Sequence, residues 1–286
     1  METVTVSAQP WPAPAKLNLF LHVTGRRDDG YHELQTLFLF LDAGDELEFQ
    51  VTDNGIIRQT RSIPGVADDV DLCQRAARLL QQHSGTSLGA DITLHKRLPA
   101  GGGLGGGSSD AATTLVALNH LWGAGLSTGQ LAELGLRLGA DVPVFVRGHA
   151  AWAEGVGEAL TPVEVDESWY VVICPQVHVS TAEIFARPEL TRDSPPITIR
   201  AFREGQGRND LEPVVRTLYP SVDNALNWLA AFGDPRMTGS GSCLFLPVAD
   251  RDAGEAILTQ RPDGCDGFVA RALNQSPLVE RLEHEA

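Results

Sequence analysis

A glycine-rich run constrains this chain most: six of the seven residues from 101 to 107 are glycine. Because glycine has no Cβ, these residues leave the backbone free to adopt positive φ and to approach a ligand closely. Ser108 and Ser109 follow, and apolar residues at helical spacing begin after Asp110. Since the N-terminus of a helix attracts anions, the run predicts a phosphate-binding loop. The alternative is a flexible linker, but linkers are rarely framed by a strand and a patterned helix.

Well-known phosphate motifs do not account for this run. A P-loop needs Gly-Lys-Ser or Gly-Lys-Thr at its end, whereas Ser108 follows Gly107 here. A literal G-x-G-x-x-G starts at Gly101, but no acidic residue stands about 20 positions beyond it, as a dinucleotide-binding site requires. The His-Arg-Asp and Asp-Phe-Gly motifs of protein kinases are absent, and so is the HExxH motif of zinc hydrolases.

Composition narrows the class of protein further. The chain has 286 residues, 43% of them hydrophobic and 21% charged, which is typical of a globular protein of about two domains. The formal net charge of -15 disfavours nucleic acid and anionic membranes as partners. No apolar run approaches the roughly 20 residues of a membrane span, and residues 1–10 lack the pattern of a secretory signal. We therefore expect a cytoplasmic protein.

The four cysteines have no spacing typical of a metal or redox motif. They are Cys73, Cys174, Cys243 and Cys265, and no two of them form a C-x-x-C pair. In a cytosolic protein, reduced thiols packed in the core are the expected state.

Basic residues are strongly biased towards arginine. Of the 22 basic residues, Lys16 and Lys96 are the two lysines. Lysine offers a compact ammonium where arginine offers a planar fork, so two retained lysines indicate sites that need the smaller cation. The alternative is retention by chance.

Apolar periodicity predicts strands and helices in mixed order. Strands are predicted over 15–24, 33–41, 46–52, 90–95, 169–174 and 243–248, and helices over 70–82, 110–122 and 127–138. Loops are predicted at 25–30, 42–45, 187–196 and 236–242, extended backbone at 142–143, and helix again from 209 onwards. Strands and helices do not alternate strictly, which predicts an α+β fold. An acidic, proline-containing stretch over 160–168 predicts a domain boundary.

Three motifs resemble those of the GHMP small-molecule kinases. They are Pro14-Ala15-Lys16-Leu17-Asn18-Leu19, then Pro99 with Gly103-Leu104-Gly105-Gly106-Gly107-Ser108-Ser109, and Thr238-Gly239-Ser240-Gly241-Ser242. The resemblance extends from about Trp11 to Pro277. It implies a two-domain α+β fold with the active site in the interdomain cleft. Residues 1–160 would form the ATP-binding domain and 161–286 the substrate-side domain.

Finer motifs resemble one branch of this family, which phosphorylates the 2-hydroxyl of diphosphocytidyl-methylerythritol in the non-mevalonate isoprenoid route. They are Asp29-Gly30-Tyr31-His32, Leu138-Gly139-Ala140-Asp141-Val142-Pro143 and Asn209-Asp210-Leu211. The resemblance implies ATP as co-substrate, Mg²⁺ arriving with it on ligands that the sequence does not identify, and a monomer or weak homodimer. Two alternatives stay open: a GHMP kinase for another alcohol, and a non-catalytic nucleotide-binding relative.

The resemblance assigns the catalytic residues. Asp141 would accept the hydroxyl proton or orient the hydroxyl, and Lys16 would keep Asp141 ionised and contact the transferring phosphoryl group. Without the resemblance, Asp141 is equally well explained as a turn residue before Pro143, and Lys16 as a solvated strand cation.

The resemblance also assigns binding residues. The ATP-binding residues would be Lys96, Pro99, Ala100, Gly101, Gly102, Gly103, Leu104, Gly105, Gly106, Gly107, Ser108, Ser109 and Asp110. Tyr31 and Phe185 would be aromatic walls for cytosine, and His32 would recognise its edge. Asn18 and Thr181 would contact the methylerythritol end. By themselves the aromatic residues are better explained as core, and His32 as surface.

One position departs from the family pattern. Asp71 stands where the family has an asparagine near adenine. A carboxylate only accepts hydrogen bonds, which suits the amino group of adenine but not its ring acceptors. We therefore expect the adenine contact, but not the activity, to depart from the family pattern.

Overall fold

The computed structural model describes residues 9–61 and 71–285, and within these ranges the chain forms ten strands and ten helices. The strands are β1 (Trp11–Arg26), β2 (His32–Thr52), β3 (Ile57–Gln59), β4 (Gly89–His95), β5 (Ala151–Glu154), β6 (Ala159–Pro162), β7 (Trp169–Pro175), β8 (Arg236–Met237), β9 (Leu244–Val248) and β10 (Cys265–Leu273). The helices are α1 (Leu72–Ser84), α2 (Gly106–Leu121), α3 (Thr128–Leu136), α4 (Val142–Arg147), α5 (Thr181–Ala186), α6 (Ile199–Arg203), α7 (Glu212–Leu218), α8 (Pro220–Leu229), α9 (Arg251–Leu258) and α10 (Pro277–Glu283). Helices and strands mix without strict alternation, which confirms the predicted α+β fold.

All ten strands belong to one sheet. Its main path runs β3-β4-β2-β10-β7-β9-β8, while β1 and β5 also pair with β2, and β6 pairs with β5. The long strands β1 and β2 run antiparallel from Trp11 opposite Leu47 to Arg26 opposite His32. They are the two longest strands, and β1 places the first motif beside the glycine-rich run.

The predicted break at 42–45 is wrong, because the two strands predicted around it form the single strand β2. Gly44 lies opposite Pro14, and a Cβ at Gly44 would lie 2.3 Å from the carbonyl oxygen of Ala13. A close approach between strands therefore requires the glycine, and the register of β1 against β2 shifts at this point.

Three helix boundaries differ from those predicted. The prediction for the first helix included Val70, which lies outside the described residues, and α1 begins after its N-cap, Asp71. Helix α2 begins at Gly106 and not at 110, because Gly105 at φ +73° ends the loop. The predicted capping box of Ser127 and Gln130 is confirmed, although α3 ends at Leu136 and so before Gly139.

The predicted extended backbone at 142–143 is also wrong, because Val142 starts the helix α4. Proline is tolerated in the first turn of a helix, where its missing N–H would have no intrahelical partner. Pro143 occupies such a position, so the usual bias against helix before proline is overridden.

The apolar core has three parts, and β1 contributes to all of them. Ala13 belongs to the first, Leu17 to the second and Val23 to the third. Helix α10 packs its Leu278 into the first part, which otherwise consists of residues before 154. The C-terminal end of the chain thus returns to its first half, and the division at residue 160 stays a prediction.

Cys73, Cys174 and Cys243 lie in the core, as predicted, whereas Cys265 is partly exposed. All four are free thiols. Among the described helices, none combines the length and apolar character that spanning a bilayer demands.

Candidate active site

One large cavity collects nearly all the predicted site residues. Its volume is about 1030 Å³, at the upper limit for a single-ligand pocket, so it has room for a nucleotide and a second substrate. Side chains from both halves of the chain line it, including Lys16 and Asp141 from the first half and Phe185 from the second. Of the predicted site residues, Ser109 alone is not part of its lining, and Ser109 is fully buried.

The glycine-rich run adopts backbone angles that favour glycine. Gly101, Gly103 and Gly105 have φ of +70°, +78° and +73°. A Cβ at Gly103 would lie 2.1 Å from the carbonyl oxygen of Thr238, in the third motif. The run ends in α2, whose first N–H groups have no intrahelical partner. The loop and helix therefore offer backbone donors of the kind that bind phosphate.

We expect Gly103→Ala to weaken ATP binding by about 10- to 150-fold while the protein still folds. The added methyl must move the loop away from Thr238, and each lost hydrogen bond to a charged phosphate costs about 1.5–3 kcal/mol. Calorimetric titration with a non-hydrolysable ATP analogue measures the effect.

Gly123→Ala is the matched control for this change. Gly123 also has positive φ, at +62°, but a Cβ there would meet no atom within 4 Å, and Gly123 lies outside the cavity lining. It introduces the same backbone strain without touching the loop. If Gly103→Ala binds the analogue as tightly as Gly123→Ala, the phosphate site lies elsewhere.

Lys16 is buried at the centre of the cavity wall. Its ammonium donates to Asn18 Oδ1 at 2.5 Å and to the Gly103 carbonyl at 2.9 Å, and lies 3.3 Å from Asp141 Oδ2. The ammonium thus makes two hydrogen bonds and one ion pair, and the centre of the Phe38 ring lies 5.5 Å from the nitrogen. The lysine links the first motif, the glycine loop and Asp141.

Asp141 differs from Lys16 in accessibility. Its side chain is 34% exposed, and it lines the cavity just before α4 without capping that helix. The carboxylate thus has one cation beside it and free access from the cavity. This combination suits a group that accepts a proton from a bound molecule.

Lys96 sits between two carboxylates at the entry of the glycine loop. Its nitrogen lies 2.6 Å from Asp45 Oδ2 and 2.7 Å from Asp110 Oδ2. Burial alone would lower the pKa of Lys96, but the charges of Asp110 and Asp45 outweigh it and raise that pKa. Burial raises the pKa of Asp110 to about 7, against the opposing effect of Lys96.

Asp45 lies outside the cavity lining but supports it, a role that the sequence did not reveal. Besides the Lys96 contact, its Oδ1 accepts the backbone N–H groups of Arg97 at 2.5 Å and Leu98 at 2.8 Å. It therefore fixes the backbone that leads into the glycine loop. The sequence offered no signal for this role, because Asp45 looked like part of a turn.

The Asn209-Asp210-Leu211 motif is hydrogen-bonded to the third motif and to the residue before it. Asn209 donates its side-chain amide to the carbonyls of Met237 and Gly239, at 2.9 and 2.8 Å. Thr238 accepts the N–H of Asn18 at 2.9 Å through its hydroxyl, which lies 3.3 Å from the Gly103 carbonyl. Motifs that are far apart in sequence therefore form one hydrogen-bonded unit around the cavity.

On the substrate side, the predicted Thr181 hydroxyl lies 2.6 Å from the hydroxyl of Ser240, which the sequence analysis did not single out. Asn18 is buried and bonds internally: its amide nitrogen donates to Thr36 and its oxygen accepts from Lys16. The structure thus gives Asn18 a positioning role besides the predicted substrate contact.

The aromatic residues lie at one end of the cavity. Tyr31 is 63% exposed at the mouth. The ring of His32 stacks on Phe185, with centroids 4.9 Å apart and planes 29° apart. Phe185 thus contacts His32 in this structure, and its role with Tyr31 as a wall for cytosine stays a prediction. Burial, with the charges of Arg192 and Arg26, lowers the pKa of His32.

Asp71 lines the cavity but already has partners. Its carboxylate caps α1 by accepting the N–H of Gln74 at 2.9 Å. With the Gln59 amide turned so that its nitrogen faces the carboxylate, that nitrogen lies 2.9 and 3.0 Å from the two Asp71 oxygens. The departure from the family's asparagine is thus compatible with helix capping, which asparagine and aspartate do equally well.

Comparisons with known proteins identify the family of the chain. The GHMP kinases N terminal domain matches residues 71–149 and the GHMP kinases C terminal family matches 189–266. A 4-diphosphocytidyl-2-C-methyl-D-erythritol kinase from Alkalilimnicola ehrlichii is 59% identical over 275 residues, covering 96% of this chain and 94% of that protein.

Solved structures show the same fold. A crystal structure of 4-(cytidine 5'-diphospho)-2C-methyl-D-erythritol kinase is 33% identical, with a TM-score of 0.79, covering 92% of this chain and 99% of that one. Homoserine kinase from Cytophaga hutchinsonii, at 18% identity and a TM-score of 0.67, covers 91% of this chain and 96% of its own and shares the fold. The chain belongs to the GHMP kinases and, within them, to the 4-diphosphocytidyl-2-C-methyl-D-erythritol kinase family.

Proposed function

We propose that this protein transfers the γ-phosphoryl group of ATP to the 2-hydroxyl of 4-diphosphocytidyl-2-C-methyl-D-erythritol, a step of non-mevalonate isoprenoid synthesis. The observation that carries the proposal is the Lys16–Asp141 pair, 3.3 Å apart, which lies against a glycine loop in a cavity that also contains the His32–Phe185 stack. The relatives that match nearly the whole chain are kinases of this name.

The residues divide the chemistry between them. Backbone N–H groups of the glycine loop and the start of α2 bind the phosphates. Asp141 accepts the proton of the attacking hydroxyl, since its carboxylate is accessible from the cavity. Lys16 orients Asp141 and stabilises the negative charge that spreads over the transferring group.

Mg²⁺ is expected to arrive with ATP and to neutralise charge on the phosphates. Asp110 fits such a ligand set: it lines the cavity, and its buried Oδ1 has no hydrogen-bond partner among the described residues. We propose that Asp110 faces the metal-bound phosphates while Lys96 balances its charge.

An ADP-release assay tests this function with a panel of alcohols: the diphosphocytidyl substrate, mevalonate, homoserine and galactose. The expected result is turnover of the first alone, with the new phosphate on the 2-hydroxyl by ³¹P NMR. Turnover of another alcohol would favour a different GHMP kinase activity. Absence of ADP release with every alcohol, while ATP still binds, would favour a non-catalytic relative.

Two substitutions separate stacking from edge recognition in the cytosine site. Phe185→Ala should weaken binding of cytidine and uridine substrates alike, by about 5- to 150-fold, because stacking on a base is worth roughly 1–3 kcal/mol and every base has a π-face. His32→Ala should cost the cytidine substrate more, because hydrogen bonds to the base edge carry the discrimination. The measurement is kcat/KM for both substrates in both variants. An unchanged cytidine-to-uridine ratio in His32→Ala would remove His32 from this role.

A further inference from the structure

The side chain of Arg192 connects His32 to the segment that carries Phe185. Its Nε donates to His32 Nε2 at 3.1 Å. Its Nη2 donates to the carbonyls of Phe185 and Arg187 at 2.9 and 2.7 Å, and its Nη1 to that of Leu190 at 3.0 Å. Four hydrogen bonds thus fix a half-buried guanidinium between the two halves of the chain.

The chemistry of the two groups determines where the proton of His32 lies. A guanidinium has donors and no acceptor, so Nε2 of His32 must be the acceptor of this bond. A neutral imidazole that accepts at Nε2 carries its proton on Nδ1. Burial, together with the positive charges of Arg192 and Arg26, lowers the pKa of His32 and so opposes a second proton on the ring. His32 therefore exposes an N–H donor at Nδ1, and none of the described residues pairs with that atom.

We propose that Arg192 is a positioning residue for substrate specificity, which sets the His32 tautomer so that Nδ1–H donates to the pyrimidine edge. The acceptor it selects is N3 of cytosine, because the corresponding position in uracil carries a hydrogen. A donor facing another donor leaves both unpaired, which is the strongest basis for rejecting a near-isostere. The inference rests on the proposed function, in which His32 recognises the cytidine group.

The geometry supports a fixed rather than a rotating ring. The His32 ring is stacked on Phe185, and the same guanidinium that bonds His32 also bonds the Phe185 carbonyl. Arg192 therefore holds the imidazole and the aromatic wall in one arrangement. Its hydrogen bond to Nε2 fixes the direction in which Nδ1 points, while the Phe185 ring packs against one face of the imidazole.

The test compares Arg192→Met with Arg187→Met. Arg187 lies five positions away, but its guanidinium pairs with Glu183 and does not contact His32. In Arg192→Met, the ratio of kcat/KM for the cytidine substrate to that for its uridine counterpart should fall about 3- to 10-fold, the size of one neutral hydrogen bond. The ratio should stay at the wild-type value in Arg187→Met.

The tautomer itself is measured by ¹⁵N NMR of the imidazole in the free protein. Wild type and Arg187→Met should show the Nδ1–H form of His32, and Arg192→Met should lose it. Arg192→Ala, which also removes the donor to Nε2, serves as a second variant should Arg192→Met fail to fold. In either variant the tautomer and the specificity ratio must change together, and a change in one without the other overturns the proposal.

Different results would overturn the proposed kinase function and the proposed role of Arg192. A wild-type protein without activity on the cytidine substrate would overturn the proposed function and the specificity role together. An active wild type whose His32 carries its proton on Nε2, or an unchanged ratio in Arg192→Met, would overturn the role of Arg192 alone.

Discussion

Asp141→Asn should lower kcat by about 10²- to 10⁴-fold, the usual range for a positioned acid or base. An amide has nearly the same shape as a carboxylate but does not accept the hydroxyl proton. The ion pair with Lys16 at 3.3 Å is lost as well, so the lysine becomes a cation without its counter-charge. ATP binding should barely change, because the phosphates are bound by the glycine loop.

The effect is measured by steady-state kinetics and by titration with a non-hydrolysable ATP analogue. Asp91→Asn is the matched control, since Asp91 also pairs with a cation, Arg58, but lies outside the cavity lining. It should keep kcat near the wild-type value. An Asp141→Asn enzyme that retains more than about a third of wild-type kcat would show that Asp141 is not the base.

Local chemistry predicted those parts of the fold whose causes are local. The capping box at Ser127 is confirmed because both of its partners lie within four residues. The break predicted at 42–45 failed because Gly44 meets Ala13, which is some thirty positions away. The helix at Val142 was missed because the bias of a residue before proline yields once that proline falls in the first turn of a helix.

In the site, too, features with local causes could be predicted and features that depend on distant residues could not. The glycine loop could be predicted from composition, since its glycines and the helix that follows are contiguous. Asp45 could not, because it acts on Lys96 from 51 positions away. Arg192 acts on His32 from 160 positions away. Only the fold shows that such pairs are neighbours.

The scarcity of lysine was a global signal that pointed to the site. Lys16 and Lys96 line the same cavity. Lys16 contacts the glycine loop at Gly103, and Lys96 lies beside it at Gly106. Their surroundings differ, however. Lys96 is 27% exposed between two carboxylates, an environment that also suits a guanidinium, whereas Lys16 is 3% exposed. Lys16 is therefore the position at which the compact shape of an ammonium is needed most.

Lys16→Arg should be nearly as slow as Lys16→Ala, with kcat lowered about 10²- to 10³-fold, the range for removing one donor to developing charge. The three acceptors around the Lys16 nitrogen suit a tetrahedral ammonium and not a planar fork. The space is also closed, because even a Cβ at Gly105 would lie 3.0 Å from the Lys16 side chain. A guanidinium, which extends further, would displace either the glycine loop or Asp141. Lys96→Arg is the matched comparison, and we expect it to change KM for ATP more than kcat. Steady-state kinetics of the three variants decide the matter: a Lys16→Arg enzyme with kcat close to wild type would show that charge alone is required at this position.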